Sequence, residues 1–290
     1  MRSQSLDRET FEIEGCRISA VASGDRDKPA ILLLHGFPSS SRSFRNIIPA
    51  LSKTCFVIAP DLPGFGQSDP IPDATFTRFA DLMEELLERL GVAKAYLYVH
   101  DFGAPVALDL AMRDPRRVLG LIVQNANAHR TGFGPQWRET LAYWSAPTKD
   151  NERGATAHLT FEGTRDQYVG GIPEDIAARI AADNWIEDWR VMSQPGRLEV
   201  QRALIADYGR YAARFEEIAR YLSDHQPPAL MLWGRHDSFF DCAEILSWLQ
   251  ALPRMEAYVL DGAHFLLETH AAQCAELINA FIDRRESEQL

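Results

Sequence analysis

The sequence predicts an α/β protein, a mostly parallel, eight-stranded sheet flanked by helices, with a helical cap inserted into it. Three observations carry that expectation. Short, nearly continuous apolar runs alternate with segments of helical periodicity, the pattern of strands buried on both faces of a parallel sheet. The alternation then stops between residues 128 and 226, where aromatic residues and amphipathic stretches replace buried-strand runs. It resumes at residue 229 and continues to the end.

Taken in order, residues 10–14 and 17–23 alternate around Gly15 and predict an opening β-hairpin. Strands follow at 30–35 (AILLLH), 56–60 (FVIAP), 95–100 (AYLYVH) and 119–124 (LGLIVQ). The segment 77–90 places Phe79, Leu82, Met83, Leu86, Leu87 and Leu90 at helical spacing and ends on Gly91, a suitable residue just past a helix end. A second helix, 104–113, is closed by Asp114-Pro115. After the break come a strand at 229–233 (ALMLW), a helix at 243–252, a strand at 257–260 and a helix at 271–285. The interruption holds Trp137, Tyr143, Trp144, Trp185 and Trp189, with amphipathic helical stretches at 176–182 and 210–222, and it is bounded by Pro227-Pro228. The expected division is therefore a core domain of 1–127 and 227–290 and a helical cap of 128–226. An aromatic lid over the carboxyl edge of a parallel sheet makes a wall for an apolar pocket.

Composition narrows the function classes. A chain of 290 residues, 46% hydrophobic and 24% charged, has enough apolar material for one large or two small folded domains. Its net charge of −11 is opposite in sign to the footprint that nucleic acid or an anionic membrane requires. The expected partners are a small, neutral, apolar substrate and a catalytic water, with a homodimer as the expected assembly. Cys16, Cys55, Cys242 and Cys274 are widely separated and form no C-x-x-C pair, so neither a zinc site nor a disulfide framework is expected, and all four read as reduced packing residues. No metal and no cofactor is expected. Residues 1–9 contain no apolar core of the kind a signal peptide needs, and no later run approaches the ~20 apolar residues of a membrane span. The expected location is cytoplasmic.

The chemistry-bearing positions follow strand ends. The strand at 95–100 runs into Asp101-Phe102-Gly103 and then directly into a helix. A residue on such a strand-to-helix elbow is presented at the sheet's carboxyl edge, near a helix N-terminus. Taken alone, Asp101 reads equally well as a cap for that helix. No G-x-S-x-G occurs in the sequence, and Gly64-Phe65-Gly66-Gln67-Ser68-Asp69 reads as a turn after Asp61. A carboxylate attacking an ester or amide carbonyl would give a high-energy anhydride, whereas attack on an sp³ carbon gives an alkyl ester that activated water can cleave. Three further segments sit at the same edge. His35-Gly36-Phe37-Pro38 offers the backbone N–H of Phe37, which with that of Phe102 would form an oxyanion hole. Trp233-Gly234-Arg235-His236-Asp237 supplies an acid, and Asp261-Gly262-Ala263-His264-Phe265 supplies an imidazole, giving the chain order nucleophile, acid, base.

Through HGFPSS, APDLPGFGQSD, VHDFG, WGRHD and DGAHF, the sequence resembles the α/β-hydrolase family, and within it the Asp-nucleophile branch of epoxide hydrolases and haloalkane dehalogenases. The resemblance spans most of the chain outside the cap. It implies Asp101 as nucleophile, Asp237 as charge-relay acid and His264 as water-activating base, the same roles that the residue chemistry suggests. Asn125 stands where some relatives carry the acid, and an amide cannot serve as one.

Two leaving groups remain to be separated. Haloalkane dehalogenases resemble one another in placing Trp after the nucleophile and often Asn in the H-G-x-P segment; here those positions are Phe102 and Phe37. Charge-assisted hydrogen bonds contribute ~1.5–3 kcal/mol each, so losing two would cost on the order of 10²–10⁴ in rate unless the cap supplies replacements. Trp144 and Trp137 are the candidates. A fluoroacetate-type activity is not expected, because the Arg beside the nucleophile is missing. Epoxide opening instead needs a proton donor, which relatives supply with cap tyrosines, and Tyr143 and Tyr208 match in order and spacing, with Tyr168, Tyr211 and Tyr221 as competitors. Tyr143, Tyr208 and Trp144 are thus the expected substrate-binding residues. The preferred reading is an epoxide hydrolase forming vicinal diols; the alternative is a haloalkane dehalogenase, and behind both stands an inactive ligand-binding homologue.

Overall fold

A computed structural model describes residues 8–289, so most of the amino-terminal stretch expected to lack a leader lies outside the described residues. The opening hairpin is β1 (Arg8–Ile13) and β2 (Cys16–Ser23), turned through Glu14 and Gly15, both with positive φ. The remaining strands are β3 (Ala30–Leu34), β4 (Phe56–Pro60), β5 (Ala95–His100), β6 (Val118–Gln124), β7 (Ala229–Gly234) and β8 (Glu256–Leu260). They form one eight-stranded sheet of order β1-β2-β4-β3-β5-β6-β7-β8. The β1–β2 and β2–β4 pairs are antiparallel and all the others parallel.

The helices that accompany the strands are α1 (Ile48–Leu51), α2 (Phe76–Arg89) and α3 (Gly103–Arg113). Between β6 and β7 lie α4 (Arg138–Ser145), α5 (Lys149–Ala155), α6 (Phe161–Val169), α7 (Glu174–Ala177), α8 (Asp183–Met192), α9 (Arg197–Ala213) and α10 (Phe215–His225). The chain closes with α11 (Ala243–Ala251) and α12 (Ala271–Gln289).

Why the middle strands read as continuous apolar runs is visible in how alternate residues sort. Leu32, Ile58, Leu97, Leu121 and Met231 point to the face covered by α2 and α3, whose Leu82, Leu86, Val106 and Leu108 complete one apolar layer. Ile31, Val57, Tyr96, Ile122 and Leu230 point to the opposite face and pack with Ile278, Phe281 and Ile282 of α12. With both faces dry, no position in these strands favours a polar side chain. At the rim, β8 has one free edge and leaves Val259 half exposed.

Two expected helices in the insertion differ. The stretch 176–182 is not one helix: α7 stops at Ala177 and α8 begins at Asp183. Three-residue turns from Arg179 to Ile176 and from Ile180 to Ala177 keep Ile176 and Ile180 on one buried side without a regular helix. The stretch 210–222 is divided at Arg214, whose guanidinium reaches Asp109 of α3 at 2.6 Å and ties the joint to the core. Cys242 also departs from expectation: Cys16, Cys55 and Cys274 are buried, but Cys242 is exposed.

Candidate active site

The parallel register sends the ends of β3, β5, β7 and β8 to one edge of the sheet, which is where Phe37, Asp101, Asp237 and His264 are found. Asp101 takes φ = 48°, a left-handed conformation that costs a non-glycine residue ~1–3 kcal/mol and persists only where its surroundings enforce it. Two glycines allow this elbow. A Cβ at Gly36 would lie 2.1 Å from Asp101 Oδ1, and one at Gly103 would lie 2.2 Å from the Leu34 carbonyl oxygen. A helix cap does not account for all the contacts of Asp101, since its carboxylate reaches the Phe37 N–H of another loop as well as the Phe102 N–H before α3.

The Phe37 N–H donates to Asp101 Oδ1 at 2.6 Å, and the Phe102 N–H also stabilises the carboxylate. Oδ2 is left facing His264 Nε2 at 4.0 Å. On its other side, His264 Nδ1 lies 2.9 Å from Asp237 Oδ2, while Asp237 Oδ1 accepts from the N–H groups of Phe239 and Phe240 at 2.7 and 3.1 Å. His264 follows β8, three strand positions from β5, and is drawn back by Gln124 Nε2, which donates to the His264 carbonyl at 3.0 Å. The Phe240 ring stacks on the imidazole with centroids 5.4 Å apart.

Electrostatics match this chain of contacts. Burial acts to lower the His264 imidazole, but the charge and hydrogen bond of Asp237 together with the charge of Asp101 outweigh it, and the ring titrates above its ordinary value. Burial raises the Asp101 carboxyl, against the pull of His264 and of the Phe102 and Phe37 N–H groups. His100, its ring tilted against His264 with centroids 4.7 Å apart, is held neutral by burial and by its neighbour's charge, so it adds no competing cation. His35 is likewise kept neutral, its value lowered by burial to about 4, and its Nε2 accepts from the Leu62 N–H. The H-G-x-P histidine therefore braces the loop that carries Phe37.

Over this edge lies a cavity of about 240 Å³ lined by Asp101, Phe37, Phe102, Phe239, Phe240 and, from the insertion, Trp137, His158 and Tyr208 among others. Of the expected substrate-binding residues, Tyr208 lines it. It is fully buried, and its hydroxyl makes no hydrogen bond of ordinary geometry, the Asn127 side chain being the polar group beside it. Tyr143 and Trp144 do not line it. Trp144 stacks behind Tyr208 at 5.8 Å, and its indole N–H donates to the Ile205 carbonyl at 2.8 Å. Trp137 forms part of the wall, yet its N–H is engaged by the Phe239 carbonyl at 2.8 Å. Neither indole is thus available to a departing halide. Of the competing tyrosines, Tyr168 bonds Asp188 and Tyr211 bonds the Asn127 carbonyl.

Sequence reasoning missed His158, Gln136, Thr140 and Gln167, the polar wall residues contributed by the insertion. His158 packs edge-on against Phe37 at 5.4 Å, and burial lowers its imidazole to about 4, so it is neutral. No local pattern marks it among eight histidines. Phe239 and Phe240 had a weak signal, since they follow Asp237 directly. Among the described residues, no group of three or more His, Cys, Asp or Glu side chains is arranged to hold a metal, and no helix is long and apolar enough to cross a membrane.

Comparison with known proteins agrees with the geometry. Residues 29–271 match the family described as alpha/beta hydrolase fold. The chain is 32% identical over 272 residues to an uncharacterized hydrolase of Saccharomyces cerevisiae, covering 91% of this chain and 93% of the relative. It is 37% identical to epoxide hydrolase 3 of Xenopus tropicalis, covering 92% and 75%. The crystal structure of haloalkane dehalogenase DbeA from Bradyrhizobium elkani superposes with a TM-score of 0.78 at 23% identity, covering 97% of this chain and 99% of that one, a likeness of fold.

Proposed function

The chain belongs to the alpha/beta hydrolase family, and on that premise we propose that it opens an sp³ carbon–oxygen bond of an epoxide through a covalent ester on Asp101, yielding a vicinal diol. The observation that carries the reading is the asymmetry of the Asp101 carboxylate: Oδ1 is held by the Phe37 N–H at 2.6 Å, while Oδ2 is left beside the cavity and 4.0 Å from His264.

In the first step Oδ2 attacks an epoxide carbon, the ring C–O bond breaks, and the leaving oxygen takes a proton from the Tyr208 hydroxyl. Burial first, then Tyr211 and the Asp101 charge, hold that phenol well above its ordinary range, so it is present as a donor. In the second step His264 Nε2 takes a proton from water, which attacks the ester carbon. The oxyanion forms on Oδ1, where the Phe37 and Phe102 N–H groups already converge. As the intermediate collapses His264 returns its proton to the departing alkoxide, releasing the diol, and the proton shed by the regenerated Asp101 carboxyl restores Tyr208. Esterification also removes the negative charge of Asp101, one of the groups that raise His264. The imidazole thereby becomes easier to deprotonate in the intermediate, where a neutral base is needed. The helices between β6 and β7 act as the cap that excludes bulk water from these steps.

Halide departure by the same ester chemistry has less support. Phe37 and Phe102 offer no side-chain donor, and both nearby indole N–H groups are bonded to backbone carbonyls. The test is His264→Gln treated with a styrene-oxide-type epoxide and, in parallel, with a bromoalkane. A mass increase equal to the epoxide on the peptide containing Asp101 is expected. If no substrate that the wild type turns over leaves an adduct there, the ester mechanism is wrong; bromide release without diol formation would reverse the choice of leaving group.

A further inference from the structure

A second cavity, about 510 Å³ and thus larger than the first, lies between the core and the helices of the insertion. Its core wall begins at Pro38 and Ser39, directly after Phe37, and continues through Ser40, Ser41 and Arg42; α8 and the start of α9 face it with Asp188, Gln194 and Arg197. Its lining is more polar than apolar and carries six arginines, so the space suits a polar occupant rather than the substrate proposed above.

Charge pairing around this cavity leaves a remainder. Arg8 pairs with Asp61 at 2.8 Å, Arg45 with Glu268, Arg17 with Asp69 and Arg190 with Glu187, each at 2.7 Å. Arg42 and Arg197 have no ion pair among the described residues. Arg42 donates only to the neutral Asn184 side chain. Arg197 is 7% exposed, its Nη1 is buried without a partner, and no hydrogen bond involves its guanidinium. A buried unpaired cation is costly, and the cost is removed when an anion binds it. Arg197 is also the first residue of α9, a 17-residue helix whose N-cap, Gly196, provides no side-chain acceptor, so unpaired N–H groups and the positive end of the helix dipole begin at the same wall. The remaining carboxyl in the cavity, Asp188, is bonded to Tyr168, and burial raises it to about 7, which limits its opposition to an incoming anion.

We propose that this cavity binds a phosphate group carried on a small polar molecule, held between Arg42 of the core and Arg197 of the insertion. Both guanidinium groups lack an ion pair: Arg197 feels Asp69 and Asp61, and Arg42 feels Asp188 and Glu187, only without contact. Two such groups match a dianion better than a monocarboxylate, and guanidinium forks fit phosphate oxygens in pairs. Ser39, Ser40 and Gln194 supply polar contacts for the body of the ligand. Bound there, it links the insertion to the loop that carries the Phe37 N–H.

The test is isothermal titration of the whole protein with inorganic phosphate, glycerol 3-phosphate and acetate at matched ionic strength in sodium chloride, with thermal unfolding under the same conditions. Saturable binding of both phosphate probes with a rise in Tm is expected, with acetate at least tenfold weaker. Arg197→Gln and Arg42→Gln should each weaken phosphate binding at least tenfold, whereas Arg220→Gln should leave it unchanged. In chloride alone Arg197→Gln should melt no lower than the wild type, because it removes an unpaired buried charge; Arg42→Gln, at a half-buried position, is the second variant should the first not fold. Absence of saturable phosphate binding, equal affinity in the arginine variants, or acetate binding as tightly as phosphate would overturn the proposal.

Discussion

The two walls of the reaction cavity are built on different principles. On the core side both carboxylates are oriented by backbone, Asp101 by the Phe37 N–H and Asp237 by the Phe239 and Phe240 N–H groups, while His264 is held by the side chains of Asp237 and Gln124. On the insertion side the indole N–H groups of Trp137 and Trp144 are bonded to carbonyls, and the wall is completed by polar side chains such as Gln136, Thr140, His158 and Gln167 around the buried Tyr208 hydroxyl. On the proposed mechanism the difference assigns the making and breaking of the ester to the core and the choice of departing atom to the insertion.

The largest effect that would test this division comes from the core. Asp101→Ala should lower kcat by at least roughly 10⁴-fold with every substrate and leave no covalent adduct, since members of a catalytic unit fail together; residual turnover with a normal adduct elsewhere would break the assignment. Next in size, Tyr208→Phe should slow epoxide opening by about 10²–10⁴-fold, the usual contribution of a positioned acid. Measured as single-turnover ester formation, it should leave the rate of ester hydrolysis nearly unchanged. A loss confined to hydrolysis would mean that the two walls do not divide the steps.

Smaller effects are expected from pH. Ester formation needs ionised Asp101, and burial holds that carboxyl above its ordinary 3.8, so formation should fall tenfold per unit as pH drops below that raised value. Hydrolysis needs neutral His264, which in the free enzyme titrates above 6.5. With Asp101 esterified, the acid limb of hydrolysis should lie at lower pH than the imidazole titration of the free protein, read by stopped-flow decay of the ester and by nitrogen NMR. A limb at the same or higher pH would remove the charge coupling between the two steps. Smallest of all, Tyr143→Phe and Trp144→Phe should change diol formation by no more than about twofold, with Trp144→Phe losing about 1 kcal/mol of stability in denaturant midpoint through its bond to Ile205.

What was legible in the sequence divides along the same line. Asp101, Asp237 and His264 each follow a strand whose apolar run is unmistakable, and parallel strands in one sheet must deliver their ends to one edge. The strands from β3 onward were recoverable from such runs, and β1 and β2 from their alternation around Gly15. The insertion has no such rule. Its helices are amphipathic against one another as well as against the core, so periodicity does not tell which of Tyr143, Trp144 and Tyr208 faces a cavity. His158 sits near the end of a short helix with no flanking pattern at all. The break at Arg214 was hidden because apolar periodicity continues across it while an ion pair to α3 sets the bend.

Asn125 draws these threads to a structural constraint. Its side-chain amide pairs with the backbone of Gly234 in both directions, accepting from the Gly234 N–H at 2.9 Å and donating to the Gly234 carbonyl at 3.2 Å. It works as one extra rung of the ladder between β6 and β7, added by a side chain where the two backbones have begun to diverge. A carboxylate at 125 could accept the first bond but would repel the second, splaying β7 and with it the turn that carries Asp237. On the proposed roles, the acid at Asp237 therefore depends on the amide at 125, and moving it to the end of the earlier strand would take paired changes at both positions.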